Sequence, residues 1–358
     1  MYNWKNLDKS KLIQFLKTED NSKFEVLKKT AYRVKKQQVG NKVYFRGIIE
    51  FSNICSKNCY YCGIRKENKQ VKRFRMQPEE ILECARFAWK QGYGSLVLQS
   101  GERSDSEFVD FVEDILLRIK KMSNNELGIT LSLGEQSEET YRRWLKAGAH
   151  RYLLRIETSN SDLYRTLHPQ DHDFNYRFEC LKILAKLGYQ VGTGVMIGLP
   201  GQTAEMLADD IIFFKKNDID MIGMGPYIPH EQTPLASQVR NWNKEKQLQL
   251  GIKMIALTRL YLQDVNIAAT TALQALHPEG REFGLQAGAN VIMPNITHTK
   301  YREGYKLYDG KPCTNENAKL CRVCLERRIG NIGEEIGYNL WGDSPHFKNK
   351  QKQEKENA

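Results

Sequence analysis

The chain has 358 residues, 41% hydrophobic and 27% charged, with a formal net charge of +11 and eight cysteines. That length can bury the core of one large barrel or two domains, and eight cysteines in so long a chain read as metal ligands before a disulfide framework. The start Met1-Tyr-Asn-Trp-Lys-Asn is polar, and no run nears the ~18 apolar residues of a membrane span. Secretion and membrane insertion are therefore not expected, and a cytoplasmic location is.

In chain order, residues 1–42 carry short helical patterns at 12–15 and 24–27, an N-terminal helical extension. A strand-like run follows at 43–51, then the segment Cys55-Ser-Lys-Asn-Cys59-Tyr-Tyr-Cys62-Gly63 and a basic cluster of Arg65, Lys66, Lys69, Lys72, Arg73 and Arg75. Pro78-Glu-Glu opens a helix with apolar Ile81, Leu82, Ala85, Ala88 and Trp89. Further strand-like runs occupy 95–99, 128–133, 151–156, 190–197, 220–224, 267–271 and 289–293, with helical period between most of them. Gly92, Gly148, Gly188 and Gly288 stand where a helix closes before the next strand.

Eight strand and helix alternations in about 250 residues are the arithmetic of a (β/α)8 barrel. The fold class expected is therefore α/β, a TIM-type barrel over 43–296, with N-terminal helices over 1–42. A C-terminal extension follows over 297–345, and the lysine-rich segment 346–358 reads as a disordered, solvated tail. No RNA-binding or helix-turn-helix motif accompanies the positive charge, so nucleic acid is not an expected partner.

Barrel chemistry belongs at the carboxyl ends of the strands, and polar residues recur there: the cysteine segment, Ser100-Gly101-Glu102, Ser132-Leu-Gly-Glu135, Arg155-Ile156-Glu157 and Gly198-Leu-Pro-Gly201. Cubane [4Fe-4S] clusters normally take four cysteines. Cys55, Cys59 and Cys62 at C-x3-C-x2-C spacing would leave one iron open to a substrate or cofactor. Structural zinc is the alternative, but it calls for a fourth Cys or His at close spacing, and the nearest His is His150. The run resembles the signature of the radical S-adenosylmethionine (SAM) enzymes.

That resemblance implies a [4Fe-4S] cluster and SAM as cofactors, with no catalytic residues beyond them. The SAM ammonium needs acceptors, which Ser100, Gly101 and Glu102 can supply; the segment resembles the Gly-Gly-Glu motif of the superfamily with Ser in first place. The SAM carboxylate wants a fork of donors, for which Arg177 is the match, a surface helical arginine being the alternative. Glu157 and Ser132 suit the ribose hydroxyls. The turn from Gly198 to Gly201 suits adenine, with Tyr61 packing nearby.

Longer stretches resemble the HydE family of [FeFe]-hydrogenase maturases: Ile49-Glu-Phe-Ser-Asn-Ile-Cys55, Leu98-Gln-Ser-Gly-Glu102, Thr130-Leu-Ser-Leu-Gly-Glu135 and Arg151-Tyr-Leu-Leu-Arg155. So do Gly198-Leu-Pro-Gly-Gln-Thr203, Gly225-Pro-Tyr-Ile-Pro-His230, Ala269-Thr-Thr-Ala272 and Asn290-Val-Ile-Met-Pro-Asn295. The resemblance covers most of residues 40–328. It implies an adenosyl radical acting on a cysteine-ligated Fe(CO)2(CN) precursor, with HydF and HydG as partner maturases and ferredoxin or flavodoxin as one-electron donor. Pocket residues carried over by position are Arg155, Met224, Thr270, Thr271, Met293, Tyr305 and Tyr308, for which barrel core is the alternative. Ile156 departs from the pattern, since some members have His there.

Cys313, Cys321 and Cys324 resemble the accessory cluster of some HydE proteins, with bare thiols as the alternative. Cys84 and Cys180 lie in helical stretches as packing residues. Methylornithine synthase is a related reading, with an amino-acid-derived substrate. Biotin synthase-like sulfur insertion is less favoured, because strands after the first lack the cysteines it needs. A noncatalytic iron-sulfur carrier would leave the SAM-directed segments idle.

Overall fold

The computed structural model describes residues 7–239, 242–316 and 318–356. Among the described residues, eleven strands form in chain order: β1 (Lys42–Ser52), β2 (Ser95–Ser100), β3 (Gly128–Ser132), β4 (Arg151–Leu153), β5 (Gln190–Thr193) and β6 (Met196–Ile197), then β7 (Met221–Ile222), β8 (Gly225–Pro226), β9 (Asn266–Ile267), β10 (Val291–Ile292) and β11 (Glu335–Ile336). Eight of them pair in parallel in the order β10-β1-β2-β3-β4-β5-β7-β9. The Ala268 to Val291 bridge, with the Ala269 N–H donating to Val291 O at 2.9 Å, joins β9 back to β10 and closes the ring. This is the (β/α)8 barrel expected from the alternation. Each of the eight runs read as a strand holds one of its staves.

The later strands are shorter than their apolar runs. The run 190–197 divides into β5 and β6 at Gly194, whose Cα sits against Gly223: a Cβ there would lie 2.0 Å from Gly223 O. Past that point the regular ladder is interrupted: β6 pairs with β8, Met196 opposite Gly225, while the Met196 N–H donates to Glu157 O at 2.9 Å beyond the end of β4. The run 151–156 likewise stops pairing regularly after Leu153, and Glu157 adopts φ +65°. These departures loosen the barrel rim where a site needs irregular backbone.

Helices cover the outer face for local reasons. In the helix Pro78–Lys90, Pro occupies the first turn and Gln77 and Glu80 form a capping box. Its buried Ile81, Cys84, Ala85 and Ala88 recur at helical spacing on the barrel side. The helices Lys9–Lys17 and Asn21–Gln38 pack against the long helix Lys244–Leu262, burying Leu12, Phe15, Leu16, Leu27 and Ala31. The four glycines expected to close helices all lie at positive φ.

The amino-terminal end of the barrel is closed by residues 341–344. Arg151 Nη2 donates to Trp341 O (2.5 Å) and Asp343 Oδ1 (2.6 Å), Arg46 Nη2 donates to Gly342 O (3.1 Å), and Asn266 Nδ2 donates to Gly342 O (2.8 Å). The next segment corrects the expectation of a disordered tail: Pro345–Glu356 is a helix. Its Phe347 is buried, and Lys350 Nζ reaches Asp218 Oδ2 (2.9 Å) and Asp220 Oδ1 (2.8 Å). Composition registered its charge and missed that His346, Phe347 and Lys350 share one face. Residues 357–358 lie outside the described residues. Among the described residues, no helix is long and apolar enough to cross a membrane.

Candidate functional site

The cysteine segment leaves the carboxyl end of β1 just past a register shift between Glu50 and Ser52. Side chains knit it in place. Asn53 Nδ2 donates to Lys72 O (2.9 Å) and Gly304 O (2.7 Å), and its Oδ1 accepts from Phe74 N (2.8 Å). Tyr60 N donates to Leu167 O at 2.9 Å, and Asn58 N to His172 Nε2 at 3.0 Å. Cys55, Cys59 and Cys62 are free thiols in this one loop. Burial pushes all three thiols up, Cys62 to about 12, and the charge of neighbouring cysteines adds to the rise at Cys59 and Cys62. Three thiolates in such a space need a cation among them, so the donor set fits an iron cluster.

The end of β2 meets this loop closely. A Cβ on Gly101 would lie 2.4 Å from Ile54 O, and the Glu102 N–H donates to Cys55 Sγ at 3.3 Å. Ser100 Oγ donates to the Gly101 carbonyl at 2.7 Å. Beyond them stands a lattice of four charges contributed by four segments. Lys57 Nζ lies 2.8 Å from Glu135 Oε2 and 3.4 Å from Glu102 Oε1. Arg177, on the helix Phe174–Lys186, places Nε 2.8 Å from Glu135 Oε1 and Nη2 3.6 Å from Glu102 Oε2.

Arg177 is buried, which corrects the alternative of a surface arginine. Its Nε also donates to Tyr164 Oη at 3.1 Å, so the contact with Glu135 is a close ion pair rather than an aligned hydrogen bond. Burial works against the charge of Arg177, yet Glu135, Tyr164 and Glu102 hold its pKa above the usual range. Burial pushes the Glu102 carboxyl up, with Arg177 and Lys57 opposing. An ammonium and carboxylate pair entering here would meet a buried acceptor and a buried donor fork, each already oriented.

The other sequence candidates distribute unevenly. Arg155 Nη2 pairs with Glu157 Oε2 at 2.9 Å, so those two act as one unit at the end of β4, and Arg177 Nη1 donates to Arg155 O. Ser132 ends β3 opposite Gln99. Tyr61 packs edge-on to His168, whose Nε2 shares a 3.3 Å hydrogen bond with its hydroxyl. The Gly198 N–H donates to Gln202 Oε1 (2.7 Å) and its carbonyl accepts from Gln247 Nε2 (2.9 Å), so that backbone is satisfied within the chain. Gly201 shares the same turn and lines a 420 Å³ cavity with Trp242 and Lys246.

Thr271 Oγ1 and the Tyr308 hydroxyl lie 2.7 Å apart, and Thr270 Oγ1 is buried without a partner. Tyr305 is buried beneath Lys311, whose Nζ also pairs with Glu50. Met224 is fully buried in the apolar core, with its Sδ 3.9 Å from Thr258 Oγ1 of the long helix, as the barrel-core alternative has it. Met293 lines a small interior cavity with Arg46, Val97, Thr130 and Leu153. Ile156 is buried in the main apolar core, alternating with Arg155 and Glu157.

Lys57, Glu50 and Lys311 were not singled out by sequence, and Glu135 entered only as a strand end without a role. Only Glu135 had a signal there, since Ser-Leu-Gly-Glu135 repeats after β3 the Ser-Gly-Glu102 pattern after β2. At the C-terminal cysteines, the donor atoms of Cys313, Glu316 and Cys321 lie within 4.8 Å of one another. Cys324 does not belong to that group. The hydrogen bond with Cys321 draws the Cys313 thiol down to about 6.

Residues 49–214 match the Radical SAM superfamily. The chain is 48% identical over 332 residues to the [FeFe] hydrogenase maturase subunit HydE of Thermotoga maritima, covering 92% of each. It is 28% identical to 3-methylornithine synthase of Methanosarcina acetivorans, covering 82% of this chain and 81% of that one. Among solved structures, methylornithine synthase (PylB) superposes with a TM-score of 0.78 at 24% identity, covering 93% and 95%, a likeness of fold. With three free thiols in one loop beside a buried charge lattice, and with these relatives, the chain belongs to the HydE family and is a radical SAM enzyme, with a [4Fe-4S] cluster and SAM as its cofactors.

Proposed function

We propose that Cys55, Cys59 and Cys62 hold the cluster, and that the enzyme acts on a cysteine-ligated Fe(CO)2(CN) precursor in hydrogenase maturation, between the partner maturases HydG and HydF. When bound, the cluster and SAM supply a one-electron cleavage that yields a 5'-deoxyadenosyl radical. The protein's own part is to bind, orient and exclude water. Glu102 accepts from the SAM ammonium, Arg177 forks onto its carboxylate, and Glu135 with Lys57 fixes both orientations. Glu157 and Ser132 serve the ribose. The Thr270 hydroxyl, buried without a partner, is available to substrate, with Arg155, Thr271, Tyr305 and Tyr308 around the same mouth.

The observation that carries this reading is the placement of three free thiols and the Lys57, Glu102, Glu135 and Arg177 lattice at adjoining strand ends. The 48% identity to HydE over nearly the whole chain supports the choice of substrate. An acidic one-electron carrier such as ferredoxin or flavodoxin would serve as donor. Anaerobically reconstituted protein is expected to release 5'-deoxyadenosine from SAM with dithionite, and Cys59→Ala to release none. Cleavage surviving in that variant refutes the ligand assignment. Adding the protein to a maturation mixture lacking HydE should restore hydrogenase activity. Conversion of lysine to methylornithine would instead favour the mutase reading, which the 28% identity to 3-methylornithine synthase keeps as the second reading.

A further inference from the structure

Arg73, one of the basic cluster at 65–75, lies in the segment returning from the cysteine loop to the helix Pro78–Lys90. Its Nη1 donates to Asn53 O at 2.7 Å and Ile64 O at 2.7 Å. Its Nη2 donates to Arg65 O at 2.6 Å, Asn68 O at 3.1 Å and, at greater length, Lys66 O at 3.4 Å. Those carbonyls bracket the cysteines. Asn53 precedes Cys55 by two residues, and Ile64 and Arg65 follow Cys62 by two and three. One side chain therefore ties the entrance of the three-cysteine loop to its exit.

Only a guanidinium suits that task, because its donors are fixed in a planar fork, whereas a lysine ammonium is a compact point on a flexible stem. The donors serve carbonyls, and among the described residues no carboxylate lies within ion-pair distance of Arg73. The neighbouring Arg65 and Arg75, by contrast, pair with Glu67 and Glu107. Its positive charge is therefore not neutralised locally, beside a loop whose three thiolates are anionic once they hold metal. A fixed positive charge there favours the more negative, reduced form of the cluster over the oxidised form.

We propose that Arg73 is a positioning residue for the cluster: it clamps both ends of the cysteine loop into a ligand-ready shape and lends an unpaired positive charge that favours cluster reduction. This rests on the assignment of Cys55, Cys59 and Cys62 as ligands. Partners of this kind, which orient ligands without touching metal, alter metal affinity by about 10–100-fold.

The test uses the full chain, reconstituted anaerobically, as unaltered protein, Arg73→Gln and Arg73→Lys. Two quantities are read: the midpoint potential from an EPR-monitored titration, and the rate of iron loss to a ferrous chelator. Arg73→Gln is expected to shift the potential to more negative values and to lose iron about 10–100-fold faster. Arg73→Lys keeps the charge and loses the span, so its potential should stay near that of unaltered protein while iron loss still accelerates. A merely structural role would not separate the two variants in this way. Arg73→Gln with unchanged potential overturns the proposal, as does Arg73→Lys with unchanged iron loss; should Arg73→Gln not fold, the lysine variant decides. Unaltered protein that assembles no SAM-responsive cubane overturns the ligand assignment, whereas a normal cubane indifferent to both variants overturns only the role of Arg73.

Discussion

The tolerance of the cysteine loop is set atom by atom, and Gly63 shows how small it is. A Cβ there would lie 2.2 Å from Lys306 O and 2.5 Å from the His230 ring. The backbone cannot retreat, because the Gly63 N–H itself donates to Leu307 O at 3.1 Å and the Gly63 carbonyl accepts from Asn68 Nδ2 at 2.7 Å. Gly63→Ala should therefore cost about 1–3 kcal/mol of stability by overpacking, and it should lower iron loading because the strain sits beside Cys62. Urea unfolding of the apoprotein and an iron count after reconstitution check both halves. A variant with unaltered unfolding and full iron would show that the loop yields where the geometry says it cannot.

At the scale of elements, the C-terminal helix Pro345–Glu356 is held by a histidine between two acids. His346 Nε2 lies 2.7 Å from Asp218 Oδ1 and Nδ1 lies 3.2 Å from Asp264 Oδ1. Hydrogen bonding to Asp264 comes first among the causes that raise its pKa above 6.5, burial opposes, and the Asp218 bond and both carboxylate charges add to the rise. Lys350, one turn on, pairs with Asp218 and Asp220, and Lys215 lines the same cavity as His346. A raised folded pKa means stability fully present below about pH 6.5 and lost as pH climbs through the folded value. The melting-temperature gap between unaltered protein and His346→Ala should therefore be widest near pH 6 and shrink toward alkaline pH. A gap that widens with pH would reverse the sign assigned here.

The same helix marks what sequence could and could not reveal. The strands were legible because apolar runs alternate with helical period, a local signal. So were the cysteines, whose spacing is itself the motif. The tail was read from its lysines, and its anchor is a long-range fact: Phe347 is buried and Lys350 meets Asp218, 132 residues away. Glu102 and Arg177 were legible one by one, but the lattice joining them was not, since Lys57 and Glu135 stand 78 residues apart; the separate Glu50 and Lys311 pair spans 261. Whether Met224 serves core or pocket was not legible in sequence, because its run is interrupted near Gly223 and the strand there is only Met221–Ile222.

For the whole molecule, the barrel separates two polar ends that do different work. Its carboxyl end carries the lattice around Arg177, while its amino end buries Arg46 and Arg151 against residues 341–344. Arg151 Nη1 and Arg46 Nε have no hydrogen-bond partner in that floor, and Asp343 is the carboxylate within reach of Arg151 and His150. Burial works against the Asp343 charge, yet His150 and Arg151 hold its pKa below the usual carboxylate range. Its contribution is therefore present above about pH 4 and lost as pH falls through the lowered folded value. Removing Asp343 leaves the fully buried Arg151 guanidinium without its carboxylate, and because Asp343 itself is half-buried the cost belongs at the lower end of the ~3–5 kcal/mol of a buried pair. Asp343→Ala should lose stability of that order in urea at neutral pH, and the loss should fade on acidification. SAM affinity of protein that remains folded should be unchanged, because the floor lies at the opposite end from Glu102 and Arg177. A variant that weakens SAM binding while leaving unfolding untouched would mean the two ends are coupled through the barrel rather than separated by it.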